Sequence, residues 1–323
     1  MGRSFFLVVT AITGLAAFSL SACTTTSDRA IDEVSTTTTS DRAIDQVVAT
    51  PTSGRYIDQV VASTSMTTHL YGQTTDLTTG APLDLYADVY QPVGDTLAMR
   101  PAIIWIHGGG FKAGNRTNMG DVAAEWARRG YVTLTISYRL DKGSRCQDVQ
   151  DGEFTEPRLS VERTRCERAI TAAQDDAFSA LGWLRSHAAE FGVDTSRLVV
   201  GGGSAGAVTA VNVAQRANVA GGAVPAEKSV GAALAMSGCQ YDLAAIDAED
   251  APIGMIASGG DAAVPYECSV ATVDAAKGFG TLTVANYWPT ESSHAMGLYR
   301  RHQAEIDAAW TAFLYQRLAL TQP

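Results

Sequence analysis

The sequence predicts an α/β domain with a mostly parallel sheet and helices on both faces. Strand-like apolar runs occur at 83–90, 102–106, 131–137, 197–200, 231–236, 253–257 and 281–287, and helical patterns at 120–129, 169–190, 205–217 and 302–318. Strands and helices alternate, which is the order that gives parallel strands joined by crossover helices. Ligand sites of such sheets lie beyond the carboxyl ends of the strands, so functional residues are expected just after strands.

Length and charge exclude several classes of protein. The 323 residues are enough for one large domain or two small ones. The formal net charge is −10 and the pI is near 4.9. A nucleic-acid-binding protein carries a basic face, so no nucleic-acid partner is expected.

The first 22 residues predict an export signal. Arg3 is the only charged residue before Asp28, and an apolar run over 5–20 is followed by small residues. Residues 20–23 (LSAC) resemble the lipobox of bacterial lipoproteins, in which the cysteine becomes the lipid-modified first residue of the mature protein. This resemblance implies a membrane link through a lipid anchor on Cys23 and a location at the bacterial cell envelope. An ordinary cleaved signal, giving a secreted protein, is the alternative.

Residues 23–68 predict a flexible tether in front of a globular domain over 69–323. The tether contains three copies of a 13-residue unit, at 24–36, 37–49 and 50–62. Thr, Ser and Asp dominate these copies, which leaves little apolar surface to bury. A peptide ligand or a set of short amphipathic helices is the alternative interpretation, since their isoleucine and valine residues could share one helix face.

The first candidate site is the motif HGGGF at 107–111, directly after an apolar strand. Glycines let backbone amides approach a substrate oxygen closely, as an oxyanion hole requires. A glycine-rich turn is the alternative, and His107 by itself is better interpreted as a structural hydrogen-bonding residue than as a base.

The second candidate site is the motif GGGSAGA at 201–207, between a strand and an Ala/Val-rich helix. Its G-x-S-x-G pattern is typical of a nucleophile elbow, in which a sharp turn exposes the hydroxyl of Ser204. The same stretch also satisfies the dinucleotide-binding pattern G-x-G-x-x-G, with Glu227 about 20 residues later. A dinucleotide site would leave the loop at 107–111 unexplained and His294 without a role.

A serine nucleophile needs an orienting acid and a base, which follow the serine in that order in this kind of fold. Only His294 and His302 follow Ser204. His294 lies in a predicted loop, whereas His302 begins a predicted helix, so His294 is the preferred base. Asp261 comes just past the buried strand at 253–257 and is the preferred acid. The alternative acids are Asp242, Asp247 and Glu291.

Taken together, the motifs at 107–111 and 202–206, Asp261 and His294 resemble the esterase/lipase group of the α/β-hydrolase fold. The resemblance is to members with an HGGG oxyanion loop, related to hormone-sensitive lipase and to bacterial feruloyl-esterase-like enzymes, and it covers roughly residues 70–320.

The resemblance implies a carboxylesterase or lipase that acts by acyl transfer to water. Ser204 would be the nucleophile, His294 the base and Asp261 the acid that orients it. The amides of the oxyanion hole would be those of Gly109, Gly110 and Ala205. The expected substrates are carboxylic esters with short to medium acyl chains, either small molecules or polymers. A serine peptidase of the same fold and a non-catalytic, surface-tethered binding lipoprotein are the alternatives.

Four cysteines remain after Cys23, and an even number in an exported chain predicts two disulfides. Three pairings are possible; we favour the local pairs Cys146–Cys166 and Cys239–Cys268, with free buried thiols as the alternative. The first pair falls in a long insertion at 141–168, which we interpret as a small lid with a nearly balanced, solvated charge of seven acidic and six basic residues.

The sequence has no HExxH motif, no paired CxxC motif and no EF-hand loop, so neither a metal nor a cofactor is expected. Five aromatic residues are candidates for an acyl or alcohol pocket, and each is equally compatible with ordinary core packing. They are Phe111, Tyr138, Tyr266, Tyr287 and Trp288.

Overall fold

The computed structural model describes residues 51–218 and 222–322. The strands are β1 (Thr64–Thr75), β2 (Pro82–Pro92), β3 (Arg100–Ile106), β4 (Val132–Ile136), β5 (Val193–Gly203), β6 (Ala232–Met236), β7 (Ile253–Ser258) and β8 (Thr283–Trp288). The α-helices are α1 (Gly120–Ala127), α2 (Cys146–Gln150), α3 (Arg158–Ser186), α4 (Ala188–Phe191), α5 (Ala205–Gln215), α6 (Tyr266–Gly278), α7 (Met296–Arg301) and α8 (Gln303–Arg317). The predicted signal, Cys23 and the first two repeat copies lie outside the described residues.

The strands form one sheet in the order β1-β2-β4-β3-β5-β6-β7-β8. Strands β3 to β8 run parallel, and β2 pairs antiparallel with both β1 and β4. The predicted fold class, a mostly parallel sheet with helices on both faces, is confirmed. The central strands β3, β4, β6 and β7 are buried along their whole length, as expected for parallel strands covered on both sides.

Two hydrophobic clusters lie on the two faces of the sheet. Helices α3, α5 and α6 contribute to one cluster, in which α5 is buried along its whole length. Helices α1, α7 and α8 contribute to the other, which contains Trp105, Trp126 and Trp310. The sheet is thus held between two apolar layers, which fixes the ends of its strands.

The predicted boundary between tether and domain, at 68/69, is wrong by several residues. Strand β1 begins at Thr64 and pairs along its length with β2. It is an edge strand in which only Tyr71 is buried, so it lacks the apolar pattern that reveals a central strand.

The third repeat copy is also not a free spacer. Tyr56 is buried and packs edge-to-face on Tyr131, with ring centroids 5.2 Å apart. The amides of Tyr56 and Val61 donate to the carbonyls of Arg129 and Arg128 at 2.8 and 3.0 Å. These contacts hold the third copy against the domain in spite of its polar composition. The expectation of a flexible tether through residue 68 is therefore corrected.

Several helices differ from the sequence-based expectation, and α2 and α7 were not predicted. Helix α3 begins at Arg158, not at 169, so the second half of the predicted lid at 141–168 is helical. Helix α6 was not predicted, because its buried face consists of Ser269, Thr272, Val273 and Ala276, which do not form an apolar stripe. No helix in the described ranges has the length and apolar character needed to cross a membrane.

Candidate active site

Ser204 lies in a strained turn between β5 and α5. Its φ and ψ are 57° and −125°, a region that non-glycine residues rarely adopt. A Cβ on Gly206 would lie 2.0 Å from the carbonyl oxygen of Ile106, and one on Gly202 would lie 2.5 Å from the Gly206 backbone. Only glycine fits at both positions, so the local sequence allows the sharp turn predicted for a nucleophile elbow.

The structure brings Asp261 and His294 together. His294 Nδ1 lies 2.8 and 2.9 Å from the two carboxylate oxygens of Asp261. The Asp261 side chain is 1% exposed, whereas that of His294 is 32% exposed. With Nδ1 donating to the carboxylate, Nε2 is left as an acceptor.

Asp261 is held as a carboxylate. Burial raises the pKa of Asp261, but hydrogen bonds from His294, from the Ala263 amide and from Ser237 outweigh it and hold the pKa below its ordinary value. The amides of Ala263 and Val264 donate to the same oxygen at 2.9 and 3.1 Å. An ionised acid at this position fixes the tautomer of His294 near neutral pH.

The loop that carries His294 packs against the turn that carries Ser204. A Cβ built on Gly203 would be 3.4 Å from the Cβ of Ala295, the residue after His294. Within the described residues the Ser204 hydroxyl has no hydrogen-bond partner, His294 included. Catalytic serine–histidine hydrogen bonds are often long or poorly aligned before substrate binds, so the missing bond does not exclude His294 as the base.

The glycine loop after β3 lies against the same turn. A Cβ on Gly108 would be 3.0 Å from the Cβ of Ser204. Gly109 and Gly110 have φ angles of 115° and 61°, and their amides donate to no acceptor in the described ranges. Ala205 is the first residue of α5, so its amide is also without an intrahelical partner.

His107 is a structural residue, in agreement with the sequence-based interpretation. Its ring is buried and stacks on Tyr138 at 4.4 Å, and Nδ1 lies 2.7 Å from the Gly108 carbonyl. Burial lowers the pKa of His107 to about 4, so the ring is neutral near pH 7. It supports the start of the glycine loop.

The alternative base and one alternative acid pair with each other instead. His302 Nε2 lies 2.7 Å from Glu291 Oε1, and the His302 ring stacks on Trp288 at 4.1 Å. Asp242 lies 4.0 Å from Arg216. Asp247 accepts a hydrogen bond from Asn218. None of these is the partner of His294.

Both predicted disulfides are confirmed. Cys146–Cys166 and Cys239–Cys268 have Cα–Cα distances of 5.1 and 5.6 Å. The first joins α2 to α3 within the predicted lid. The second joins the residues that follow β6 to α6, close to the turn that holds Asp261.

The predicted lid is anchored beside the site. The buried carboxylate of Asp141 accepts hydrogen bonds from Arg165 and Arg168, and these bonds, with that of the Gly143 amide, outweigh the effect of burial and lower the pKa of Asp141 to about 2. Gln147 Nε2 donates to the Ala262 carbonyl at 2.9 Å. Part of the lid charge is therefore paired internally, and α2 contacts the turn of the acid.

The five aromatic residues divide into buried and partly buried ones. Phe111 and Tyr138 are buried, and the Tyr138 hydroxyl donates to the His107 carbonyl at 2.9 Å. Tyr266 and Tyr287 are partly buried and meet edge-to-face at 5.5 Å. Trp288 is also partly buried and stacks on His302. Phe111 and Tyr138 are therefore core residues, and the other three are not fully covered.

Comparison with known proteins agrees with the fold of the chain. The family model Abhydrolase_3, described as alpha/beta hydrolase fold, matches residues 163–252, and the model BD-FAE matches residues 87–151. A solved structure of Thermogutta terrifontis esterase 2, phosphoramylated by tabun, has a TM-score of 0.60 and 18% identity, with 80% of this chain and 96% of that chain covered. The chain has the α/β-hydrolase fold.

Curated proteins similar to this chain include esterases. Esterase LipI of Mycobacterium tuberculosis is 28% identical over 134 residues, which are 41% of this chain and 34% of LipI. Carboxylesterase NlhH of the same organism is 30% identical over 142 residues, 43% of this chain and 36% of NlhH. The chain thus spans about a third of the length of these relatives. The similarity supports a hydrolase of the esterase/lipase type.

Sequence reasoning missed two serines that contact this site, Ser237 and Ser258. Ser237 follows β6 and Ser258 ends β7, so both lie at the carboxyl ends of strands. The rule that selected Asp261 applies to them as well. Serine is so common after strands that the rule alone did not single them out.

Proposed function

We propose that this α/β-hydrolase is a serine carboxylic-ester hydrolase that works through an acyl-enzyme on Ser204. One observation carries the proposal: a buried carboxylate–histidine pair, Asp261–His294, packs beside a strained serine whose turn is lined by unpaired backbone amides. This set supplies a nucleophile, a base and an oxyanion site at one edge of the sheet.

In the first half-reaction His294 Nε2 takes the proton of the Ser204 hydroxyl as Oγ attacks the ester carbonyl carbon. The carbonyl oxygen becomes an oxyanion, which the amides of Gly109, Gly110 and Ala205 stabilise by hydrogen bonds. The tetrahedral intermediate then collapses, the ester C–O bond breaks, and the alcohol leaves with the proton from His294. Asp261 stabilises the imidazolium while it carries that proton.

In the second half-reaction His294 takes a proton from water, and the oxygen of that water attacks the acyl carbon on Ser204. The second tetrahedral intermediate uses the same three amides. Its collapse breaks the bond to Oγ, which recovers its proton from His294. The products are one carboxylic acid and one alcohol for each water consumed.

The proposal extends to short and medium acyl chains. Its support is the anchoring of the predicted lid by the Cys146–Cys166 disulfide, by the Asp141 ion pairs and by Gln147. The disulfide and the ion pairs stiffen this segment internally, and Gln147 joins it to the turn of Asp261. We therefore expect turnover of p-nitrophenyl esters to fall as the acyl chain lengthens.

The decisive experiment is hydrolysis of a short-chain p-nitrophenyl ester by residues 24–323, beside Ser204→Ala and His294→Ala. We expect both variants to stay folded and to lose turnover, and a fluorophosphonate to label the wild type but not Ser204→Ala. Equal turnover in all three proteins would overturn the proposal. Turnover of a matched amide faster than the ester would instead identify a serine peptidase.

We also propose that the protein is exported and anchored in the cell envelope through a lipid on Cys23. The support is the lipobox-like sequence at 20–23 together with two disulfides, which form in oxidising compartments. Cys23→Ser is expected to move the protein from the membrane fraction to the soluble fraction of cells that express it. Unchanged fractionation would contradict the anchor.

A further inference from the structure

Two buried serines hold the backbone on either side of His294. Ser258, the last residue of β7, donates its hydroxyl to the carbonyl of Ser293 at 2.6 Å. The amide of Ala295 donates to the hydroxyl oxygen of Ser237 at 2.9 Å. Both serine side chains are buried, so these hydrogen bonds do not compete with bulk water.

The backbone around these contacts is strained. Ser237 has a φ of 52° and Ala295 a φ of 44°, values that cost non-glycine residues energy. The Ser237 amide donates to the carbonyl of Ile256 in the neighbouring strand β7 at 2.9 Å. Ser237 is thus fixed by its own backbone, and its hydroxyl is in turn placed against the loop of His294.

The Ser237 hydroxyl also influences the acid. Its oxygen accepts from the Ala295 amide, and the Ser237 side chain is one of the groups that hold the pKa of Asp261 below its ordinary value. Ser237 therefore contacts the residue that follows the base and affects the acid as well. Ser258 reaches only the backbone before the base.

We propose that Ser237 and Ser258 are positioning residues for His294, which they hold through the backbone on either side of it. The inference rests on the proposed esterase function, since it assigns these serines to the same site. It places one support of the base directly after β6, a strand that is followed by none of the three residues proposed for the chemistry.

The test compares Ser237→Ala and Ser258→Ala with a matched control, Ser269→Ala. Ser269 is buried in the same region and donates its hydroxyl to the carbonyl of Gly238, the residue after Ser237, at 2.9 Å. The control therefore loses a buried serine hydrogen bond without touching the acid or the base. Thermal unfolding of each variant shows how much of any effect follows from stability alone.

We expect Ser237→Ala to lower kcat roughly 10- to 100-fold with little change in KM, since a small displacement of a catalytic group has an effect of that order. Ser258→Ala should also lower kcat, whereas Ser269→Ala should retain it.

The downfield Nδ1 proton of His294, followed by NMR, gives a readout that does not require turnover. Its chemical shift should change in Ser237→Ala and in Ser258→Ala and not in Ser269→Ala. If the wild type hydrolysed no ester, the proposed function would fail, and this proton would still decide the positioning of His294. Should Ser237→Ala not fold, Ser237→Gly removes the same hydroxyl while favouring the positive φ.

Two results would overturn the inference. The first is a Ser237→Ala enzyme that matches Ser269→Ala in kcat and in the downfield proton. The second is a loss of kcat with an unmoved downfield proton, which would show that the hydroxyl does not act through His294.

Discussion

At the scale of single residues, the candidate site depends on its glycines as much as on its residues with functional side chains. Gly202 and Gly206 leave room for the backbone of Ile106 and of the turn itself, so Ser204 can keep its strained φ of 57°. Strain of this kind persists only where the surroundings fix it. Here the Ser204 amide donates to the Met236 carbonyl at 2.9 Å, which ties the turn to β6.

Replacement of Asp261 by Asn tests the role of the acid. The amide group of asparagine would donate to Nδ1, so the proton of His294 would move to Nε2, which then cannot accept the proton of Ser204. We expect kcat to fall on the order of 10⁴-fold with the fold intact. Asp242→Asn is the control, since Asp242 pairs only distantly with Arg216; loss of activity in the control, with none in Asp261→Asn, would reassign the acid.

A buried carboxyl far from His294 should make stability depend on pH. Burial raises the pKa of Asp250 from 3.8 to about 7, with a smaller contribution from the nearby Asp247 carboxylate. The folded protein therefore binds this proton more tightly than the unfolded chain, so its contribution favours folding at low pH and declines as the pH rises from about 4 to about 7.

Asp250→Asn removes the titrating carboxyl and keeps a side-chain oxygen. In the wild type the Asp247 amide donates to Oδ2 of Asp250 at 2.8 Å, and the asparagine oxygen can accept the same hydrogen bond. At pH 8 we expect the variant to be about 1 to 3 kcal/mol more stable than the wild type, and the gain should disappear toward pH 4. Urea unfolding at several pH values measures it. Asp175→Asn, at a largely exposed side chain, should leave the profile unchanged; a parallel shift in both variants would refute the assignment.

At the scale of elements, the apolar strands were predictable and the polar elements were not. Strands β3, β6 and β7 are buried on both faces, and their runs of apolar residues reveal them without a structure. Strand β1 pairs as an edge strand with one buried residue, and α6 packs through small side chains. Their positions depend on tertiary contacts, which a single sequence does not display.

The third repeat copy shows the same limit. It differs from the first two copies at two positions that matter for its packing: Tyr56 replaces an alanine, and Gly54 replaces an aspartate. Gly54 has a φ of 105°, and Arg55 forms an ion pair with Asp95. The sequence contained this difference, but only the structure shows the aromatic surface on which Tyr56 packs.

Tyr56→Ala gives the third copy the residue of the other two. We expect a loss of about 3 kcal/mol in the free energy of unfolding, because a buried aromatic ring is removed from its contact with Tyr131. Val60→Ala is the control, since Val60 is 50% exposed, and should cost little. Urea unfolding followed by tryptophan fluorescence checks both; equal losses would show that the segment is not specifically docked.

At the scale of the whole molecule, the site belongs to the sheet and not to any one segment. Ser204 follows β5, Asp261 follows β7 and His294 follows β8, and these parallel strands end at one edge. The order of motifs along the chain predicted this convergence, since parallel strands bring their carboxyl ends together. The supporting hydrogen bonds of Ser237 and Ser258 depend on the register of β6 and β7, which the sequence alone does not give.

The two disulfides brace different parts of this edge, so their removal should have different consequences. They close loops with sequence separations of 20 and 29 residues, and loops of this length predict about 3 kcal/mol of stabilisation for each bond. We therefore expect the Cys146→Ser/Cys166→Ser and Cys239→Ser/Cys268→Ser proteins to lose similar amounts of stability. Thermal unfolding of the two double variants measures these losses.

Measurements of turnover should distinguish the two double variants, although their losses of stability should be similar. Cys239 lies two residues after Ser237, and Cys268 lies at the start of α6, so loss of this bond should loosen the strand end that contacts Ala295. We expect it to lower kcat, whereas loss of Cys146–Cys166 should loosen the predicted lid and change mainly KM and the preference for acyl length. If kcat and KM changed in the same way in both variants, the two disulfides would not have the separate roles expected here, in which Cys239–Cys268 supports the chemistry and Cys146–Cys166 shapes substrate entry.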